Sequence, residues 1–418
     1  MLINGILLLY HHYLWANATT ILEHVNSFER YSSLKIWSLN TEFSFPDALN
    51  EMEFKIIVLH YSLFGYTPYN LDDKFLKYLA GCSSSHKIAF FQDEYRYCKQ
   101  RFDFINQFNI NTIYTLLEPD YFQEVYGRCS KVTKLINNLT GYVSDDLISL
   151  AKRFAKPDGE RICDIGYRGR PLELYMGRGA QEKTEIASGF LNRAHNLDLK
   201  LNIATEERHR IYGKNWYRFL GKCRGVLGVE AGASIFDLED SARLEYEKLI
   251  AADPQISPQE ISANLDKYEN IIYNRTISPR HFEAAAMRNC QILFEGKYAG
   301  IMQPLVHYIP LKKDFSNFDE VIRMFKDIGM RRQITNSAHH DLIDSGLYSY
   351  RNFIAGFDRE IRNEGFDPKP QENYDKIAGR LNRDLPRRRL RAMVRNLPYY
   401  PFPGRRFIKP LIKSLLRK

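Results

Sequence analysis

At 418 residues, with 44% hydrophobic and 26% charged side chains, the chain exceeds what one hydrophobic core usually supports and has an ordinary globular composition, so two domains are expected. Its formal net charge of +9 is a local property: eleven Lys and Arg, and no acid, fall between Arg387 and Lys418, and the remainder is nearly neutral. No run approaches the roughly 20 apolar residues of a membrane span, and the six cysteines, none at CxxC spacing, argue against a zinc framework and read as buried free thiols of a reducing compartment.

Residues 6–10 read as a strand and not as a signal peptide, because the apolar run is short and lacks a basic flank and a small-residue cleavage site. A helix follows over 17–31, with Ile21, Leu22, Val25 and Phe28 on one face. Strands are predicted at 34–39, 55–60, 87–91 and 112–117, with helices such as 72–80 and 97–108 between them, a last strand at 132–137 and a linker at 141–146. A second series runs strand 161–167, helix 180–194, strand 199–203, helix 215–222, strand 225–229. It continues through a mostly helical, acidic stretch at 234–268, a helix at 279–288, strands at 291–295 and 306–310, and a helix at 318–327. Repeated βα order implies parallel sheets covered on both faces. The expected fold is α/β, with two Rossmann-like doubly wound domains facing a central cleft over 1–145 and 146–335. A helical extension at 336–386 and a basic, aromatic tail at 387–418 follow. Ligands of such sheets bind beyond the carboxyl ends of the strands, so the chemistry belongs in the cleft.

Neither first strand leads into Gly-x-Gly-x-x-Gly, and neither a Walker pattern nor Asp-x-Asp occurs. This argues against a dinucleotide dehydrogenase, a P-loop enzyme and a metal-dependent single-domain sugar transferase. Three segments carry chemistry. In the first, Asp164-Ile165-Gly166-Tyr167-Arg168-Gly169-Arg170 continues to Gly177-Arg178-Gly179-Ala180-Gln181-Glu182-Lys183, a strand end, a glycine-bearing loop and a helix start. Backbone N–H groups there favour an anion, and Arg178 and Lys183 are spaced to meet one diphosphate; the competing reading is a solvated basic turn. In the second, Leu227-Gly228-Val229-Glu230-Ala231-Gly232-Ala233-Ser234, Glu230 ends a strand where a sugar hydroxyl or reacting group could sit, or is a surface acid beside a tight turn. In the third, Ser278-Pro279-Arg280-His281-Phe282-Glu283, Ser278 is a good N-cap and Pro279 a good first helical residue. Arg280 opposes the helix dipole unless an anion sits there, and Glu283 is placed to bind ribose hydroxyls.

Together with Glu295-Gly296-Lys297-Tyr298-Ala299-Gly300 and His307-Tyr308-Ile309-Pro310, these segments resemble the C-terminal half of GT-B glycosyltransferases, in the group 1 and spore-maturation-type branch found with bacterial surface polysaccharide genes. The resemblance covers roughly residues 160–330. It implies that Gly177, Arg178 and Lys183 hold the donor diphosphate, that Ser278 and Arg280 start the helix pointing at it, and that Glu283 binds the nucleotide ribose. Retaining group 1 enzymes carry another glutamate eight residues before the ribose-binding one; here that place is Arg275, so a retaining mechanism does not carry over.

The first domain is expected to hold the acceptor. Strand ends there project His11-His12, His60-Tyr61 and Gln92-Asp93-Glu94-Tyr95-Arg96. An inverting transferase needs a base for the acceptor proton; the candidates are Asp93, then Glu94, then His12, each of which serves equally well as a strand-end cap. No metal and no cofactor beyond the nucleotide-sugar co-substrate is expected. The basic tail, interleaved with Phe, Ile and Leu, suits an anionic membrane and a lipid-linked glycan acceptor, which gives an expected cytoplasmic location against the inner membrane face. Nucleic acid is not an expected partner, since no recognition module precedes the tail. The alternatives are a nucleotide-sugar epimerase or hydrolase on the same fold, and a non-catalytic scaffold of polysaccharide assembly.

Overall fold

The computed structural model describes residues 2–13, 20–65, 67, 69–366 and 373–396. The first part of the chain builds β1 (Leu2–Tyr10), α1 (Thr20–Tyr31), β2 (Ile36–Asn40), β3 (Glu53–Leu59), α2 (Asp73–Gly81), β4 (His86–Phe90), α3 (Cys98–Gln107), β5 (Thr112–Thr115), α4 (Phe122–Tyr126) and β6 (Lys134–Asn137). These six strands form one parallel sheet in the order β2-β1-β3-β4-β5-β6. β1 is apolar almost throughout because both its faces are covered: Leu7 and Leu9 enter one core, Ile6 and Leu8 the other.

The second part continues with α5 (Asp145–Phe154), β7 (Cys163–Arg168), α6 (Arg178–Ala194), β8 (Leu201–Ala204), α7 (Lys214–Leu220) and β9 (Cys223–Gly228). After these come β10 (Ala231–Ile235), α8 (Ser241–Ala252), α9 (Pro258–Leu265), β11 (Glu269–Thr276), α10 (Pro279–Ala286), β12 (Cys290–Phe294), β13 (Ile309–Leu311), α11 (Phe318–Lys326) and α12 (Ile328–His339). Its parallel sheet has the order β13-β12-β9-β7-β8. The stretch 234–268, expected to be mostly helical, instead opens on β10, which pairs antiparallel with β11 as a separate two-stranded ribbon. Small residues let this ribbon form: at Gly232, with φ +95°, a Cβ would strike the backbone of Asn274. The doubly wound pair of domains is as expected.

The chain then returns. α13 (Tyr350–Asn363), α14 (Tyr374–Asn382) and α15 (Leu385–Asn396) pack on the first domain. Ile354, Phe357 and Ile361 of α13 join Val25 and Phe28 of α1 over one sheet face, and Ile377 and Leu381 of α14 cover the other. Asp358 fixes the return by accepting from the Ser33 N–H at 2.7 Å and the Ser32 and Ser33 hydroxyls at 2.6 Å each. The outgoing and returning segments also pair with each other: the Val143 N–H donates to the Tyr348 carbonyl at 2.8 Å and the Tyr350 N–H to the Val143 carbonyl at 3.0 Å. All six cysteines are buried and unbonded. Among the described residues no helix is long and apolar enough to cross a membrane. The part of the tail from 397 to 418 lies outside the described residues.

Candidate active site

A cavity of about 410 Å³ opens at the carboxyl ends of the second sheet's strands and reaches Thr20 of the first domain. That size suits a bound small molecule. Three loops shape it. Arg168 to Arg170 leave β7, Arg210 to Gly213 follow β8, and Glu230 and Ala231 leave β9; α7, α10 and Lys183 of α6 complete the wall.

Its chemistry is set by cations that make no close ion pair among the described residues. Burial pushes the Lys183 amine down to about 8; Asp93 raises it, and Arg280, Arg170 and Arg275 lower it further. Lys183, Arg170 and Arg280 therefore crowd one another, with Asp93 acting against Lys183 and Glu283 near Arg280. Arg280 donates to the Arg168 carbonyl and lies over the Trp216 ring, 5.2 Å from its centre. α10 starts at this place, with His281 Nδ1 accepting from the Ser278 N–H at 3.0 Å. The arrangement is a helix N-terminus flanked by three cations, which attracts an anion. Glu283, one turn into α10, also lines the cavity; it accepts from Trp216 Nε1 at 2.7 Å, and burial raises its pKa.

The structure places the other sequence candidates as follows. Lys183, Ser278, Arg280, Glu283 and Glu230 share the cavity. Gly177 and Arg178 do not belong to it. Arg178 and Lys183 lie five positions apart, about 140° around a helix, so they face different ways. The Arg178 guanidinium pairs with Asp266, its N–H donates to Glu269 at 2.6 Å, and the Gly179 N–H donates to Ser234 Oγ at 2.8 Å. The start of α6 is thus already capped, partly by a carboxylate that repels a phosphate. Gly177, at φ +84°, is glycine because a Cβ would strike Ser234 and Glu269.

Glu94 is corrected to a structural acid. It is fully buried and accepts from the Thr115 hydroxyl and the Tyr126 hydroxyl, both at 2.8 Å, and from the Leu116 N–H at 3.2 Å, so no acceptor reaches it. Asp93 beside it is exposed, sits at φ +47°, and accepts from the Tyr95 hydroxyl at 2.9 Å. His12 lies at the ends of β1 and β2, its N–H donating to Asn40 Oδ1 at 3.0 Å. Glu230 is 2% exposed, and its carboxylate is held by the Tyr273 hydroxyl at 2.9 Å and the Tyr298 N–H at 2.8 Å. Its other neighbour is Arg275 at 3.7 Å, itself buried in a two-bond pair with Glu182. Lys313 also reaches Glu182, at 2.8 Å. Arg275 therefore occupies the place of the missing glutamate as the centre of a buried ionic network.

Sequence reading did not single out Arg170 or Trp216. Arg170 was visible in the Arg168-Gly169-Arg170 alternation, but which of the two arginines serves was not. Arg168 turns away, donating to the carbonyls of Tyr167, Asn202 and His209 at 2.7–3.0 Å. Nothing in the sequence around Trp216 distinguishes it from a core aromatic.

No protein-family model matches the chain, and no curated protein matches it either. Solved structures do. An alpha-glucosyltransferase in complex with UDP is similar with a TM-score of 0.50 at 9% identity, covering 86% of this chain and 99% of that one. A glycosyltransferase from Rickettsia africae gives 0.46 at 11% identity, over 88% and 100%. TarM gives 0.39 at 10% identity, and the match spans only 53% of its length. The fold is accordingly that of the GT-B glycosyltransferases, two facing Rossmann-like domains with the last helices returned to the first.

Proposed function

We propose that the protein transfers a hexose-type sugar from a nucleoside diphosphate to a surface-glycan acceptor carried on a lipid, without a metal. The observation that carries this reading is the cluster of Lys183, Arg170 and Arg280 at the N-terminus of α10, one turn from Glu283. A diphosphate supplies the negative charge that the cluster lacks, and Glu283 accepts from the ribose hydroxyls. The fold agrees with this reading, and the similar alpha-glucosyltransferase is one described in complex with UDP.

In the reaction the acceptor oxygen attacks the anomeric carbon, and the bond from that carbon to the diphosphate oxygen breaks. The electron pair goes to the leaving diphosphate, where Lys183, Arg170, Arg280 and the α10 amides stabilise it. Asp93, facing Lys183 from the first domain, takes the acceptor proton, with His12 as the second candidate. Glu230, with both oxygens held, positions the turn after β9. The basic chain end is the means of meeting the membrane that carries the acceptor.

Thermal stability against a panel of nucleoside diphosphates, without metal, tests this for wild type and Glu283→Ala. A ligand at a hundred times its dissociation constant adds about 2.7 kcal/mol to the folded state. One nucleotide is expected to raise Tm in the wild type and to lose that effect in the variant. A well-folded wild type that responds to none of them refutes the donor site and leaves the scaffold reading. Turnover of a nucleotide sugar without any acceptor supports the hydrolase or epimerase reading instead.

A further inference from the structure

α15 is amphipathic in an unusual sense. Its inner face, Arg388, Ala392 and Asn396, is buried against the first domain. Arg388 donates to the Ser44 carbonyl at 3.0 Å and the Leu381 carbonyl at 2.8 Å, and Arg395 and Asn396 both reach the buried Glu42. Its outer face has no partner among the described residues: Leu390 is 61% and Met393 42% exposed, Val394 is half-buried, and Arg387 and Arg391 are exposed alongside. A helix held by the buried Arg388 and Asn396 thus displays an apolar strip with a cationic border and no acid anywhere along it.

Its place in the fold is specific. Glu42 belongs to the turn at 41–43, which follows β2, and Arg389 lies over Phe43 in the same turn. His11 Nδ1 is 3.0 Å from the Thr41 hydroxyl of that turn, and His12 bonds Asn40. α15 therefore stands at the carboxyl-end corner of the first sheet, beside the turn that His11 and His12 meet at the end of β1. Residues 397–418 then follow, with six further Lys and Arg and no acid.

We infer that the outer face of α15 is a docking surface for anionic phospholipid, and that it sets the acceptor side of the cleft against the membrane. Leu390, Val394 and Met393 enter the headgroup layer while Arg387 and Arg391 meet lipid phosphates. The orientation of the acceptor side rests on the transferase reading; the docking itself does not. The occupant is a lipid surface because the face combines positive charge with exposed aliphatic side chains, and because the chain beyond it repeats that combination.

Sedimentation of the full chain with phosphatidylcholine vesicles containing about 30% phosphatidylglycerol tests it, since each cation at such a surface contributes on the order of 1 kcal/mol. The variant Arg387→Glu/Leu390→Asp/Arg391→Glu keeps the inner face and all of residues 397–418, and is expected to lose at least about tenfold in partitioning. A second variant, with Arg405, Arg406, Lys409 and Lys413 changed to Gln, is expected to retain measurable binding. The nucleotide-induced rise in Tm serves as the control for the donor site, and is expected to be unchanged in both. Because the native cysteines are buried, a Leu390→Cys chain labelled with an environment-sensitive dye reports contact without altering charge. Its emission is expected to shift to the blue on anionic vesicles only, and that of a labelled Ile162→Cys chain is not. Wild-type partitioning by the α15 variant, or an unshifted dye at 390, overturns the inference.

Discussion

Lys183 is an amine held in a place that suits it poorly until an anion arrives. Burial and three arginines keep its pKa near 8, below the ordinary 10.5. Between those values the unfolded chain binds the extra proton, so the folded state is penalised below about pH 8 and relieved as pH rises toward 10.5. A bound diphosphate favours the ammonium and reverses this. Nucleotide affinity, followed by calorimetry, should therefore weaken as pH rises above about 8. Lys183→Met should remove that pH dependence and weaken binding by about 1.5–3 kcal/mol, the range for a charge-assisted hydrogen bond. Asp93 makes a separable prediction. Asp93→Asn should lower kcat about 100- to 10,000-fold, the usual size of a lost general base, while leaving the nucleotide-induced Tm shift in place. If kcat holds, the proton goes elsewhere, and His12→Gln is the next variant to measure.

The β10–β11 ribbon, α6 and the turn after β9 form a unit, tied together through Arg275. Arg275→Ala leaves Glu182 and Glu230 buried without their shared guanidinium, and should cost about 3 kcal/mol in urea unfolding, as broken buried pairs do. Arg275→Glu restores the glutamate expected of retaining group 1 enzymes, yet it brings three carboxylates together and should be less stable than the alanine variant. Much of this level was legible in the sequence. The βα alternation showed because buried parallel strands are continuous apolar runs, as in Ile6 to Leu9 and Ile56 to Leu59. The ribbon did not show, because Ala231-Gly232-Ala233-Ser234 carries no alternation and its partner lies more than thirty residues away. In the candidate site Glu283 and Lys183 were visible as motif positions, and both line the cavity. Arg178 misled because spacing along the sequence says nothing of direction around a helix.

At the scale of the molecule, the return of α13 to the first domain was illegible, since its partners Val25, Phe28 and Phe90 are separated from it by the whole second domain. A chain ending at 345 uncovers that sheet face and should be recovered in the insoluble fraction. Asp358→Ala, which removes three hydrogen bonds to one carboxylate, should lower stability by roughly 2–4 kcal/mol. Acid should act on both domains together: burial holds His24 in the first and His281 in the second at about 3, against an ordinary 6.5. The unfolded chain takes up those protons first, so Tm should fall as pH drops below about 6.5, with the fall continuing toward pH 4. The bridge between Val143 and the 348–350 segment has a mechanical consequence. Two strands of chain join the domains and are bonded to each other, so they act as one hinge pin, where a single strand would be a loose tether. Relative motion is expected to be mainly a swing about that pin. Side chains close to it, such as Pro279 against Gly141, travel least, while the ion pairs Lys297–Glu118 and Arg96–Glu173 across the domains act as latches that any opening must release. Opening the cleft must also draw Phe236 and Ile272 out of the first domain's core and free Asp240 from the Cys98 and Lys99 N–H groups, while α10 starts beside the pin.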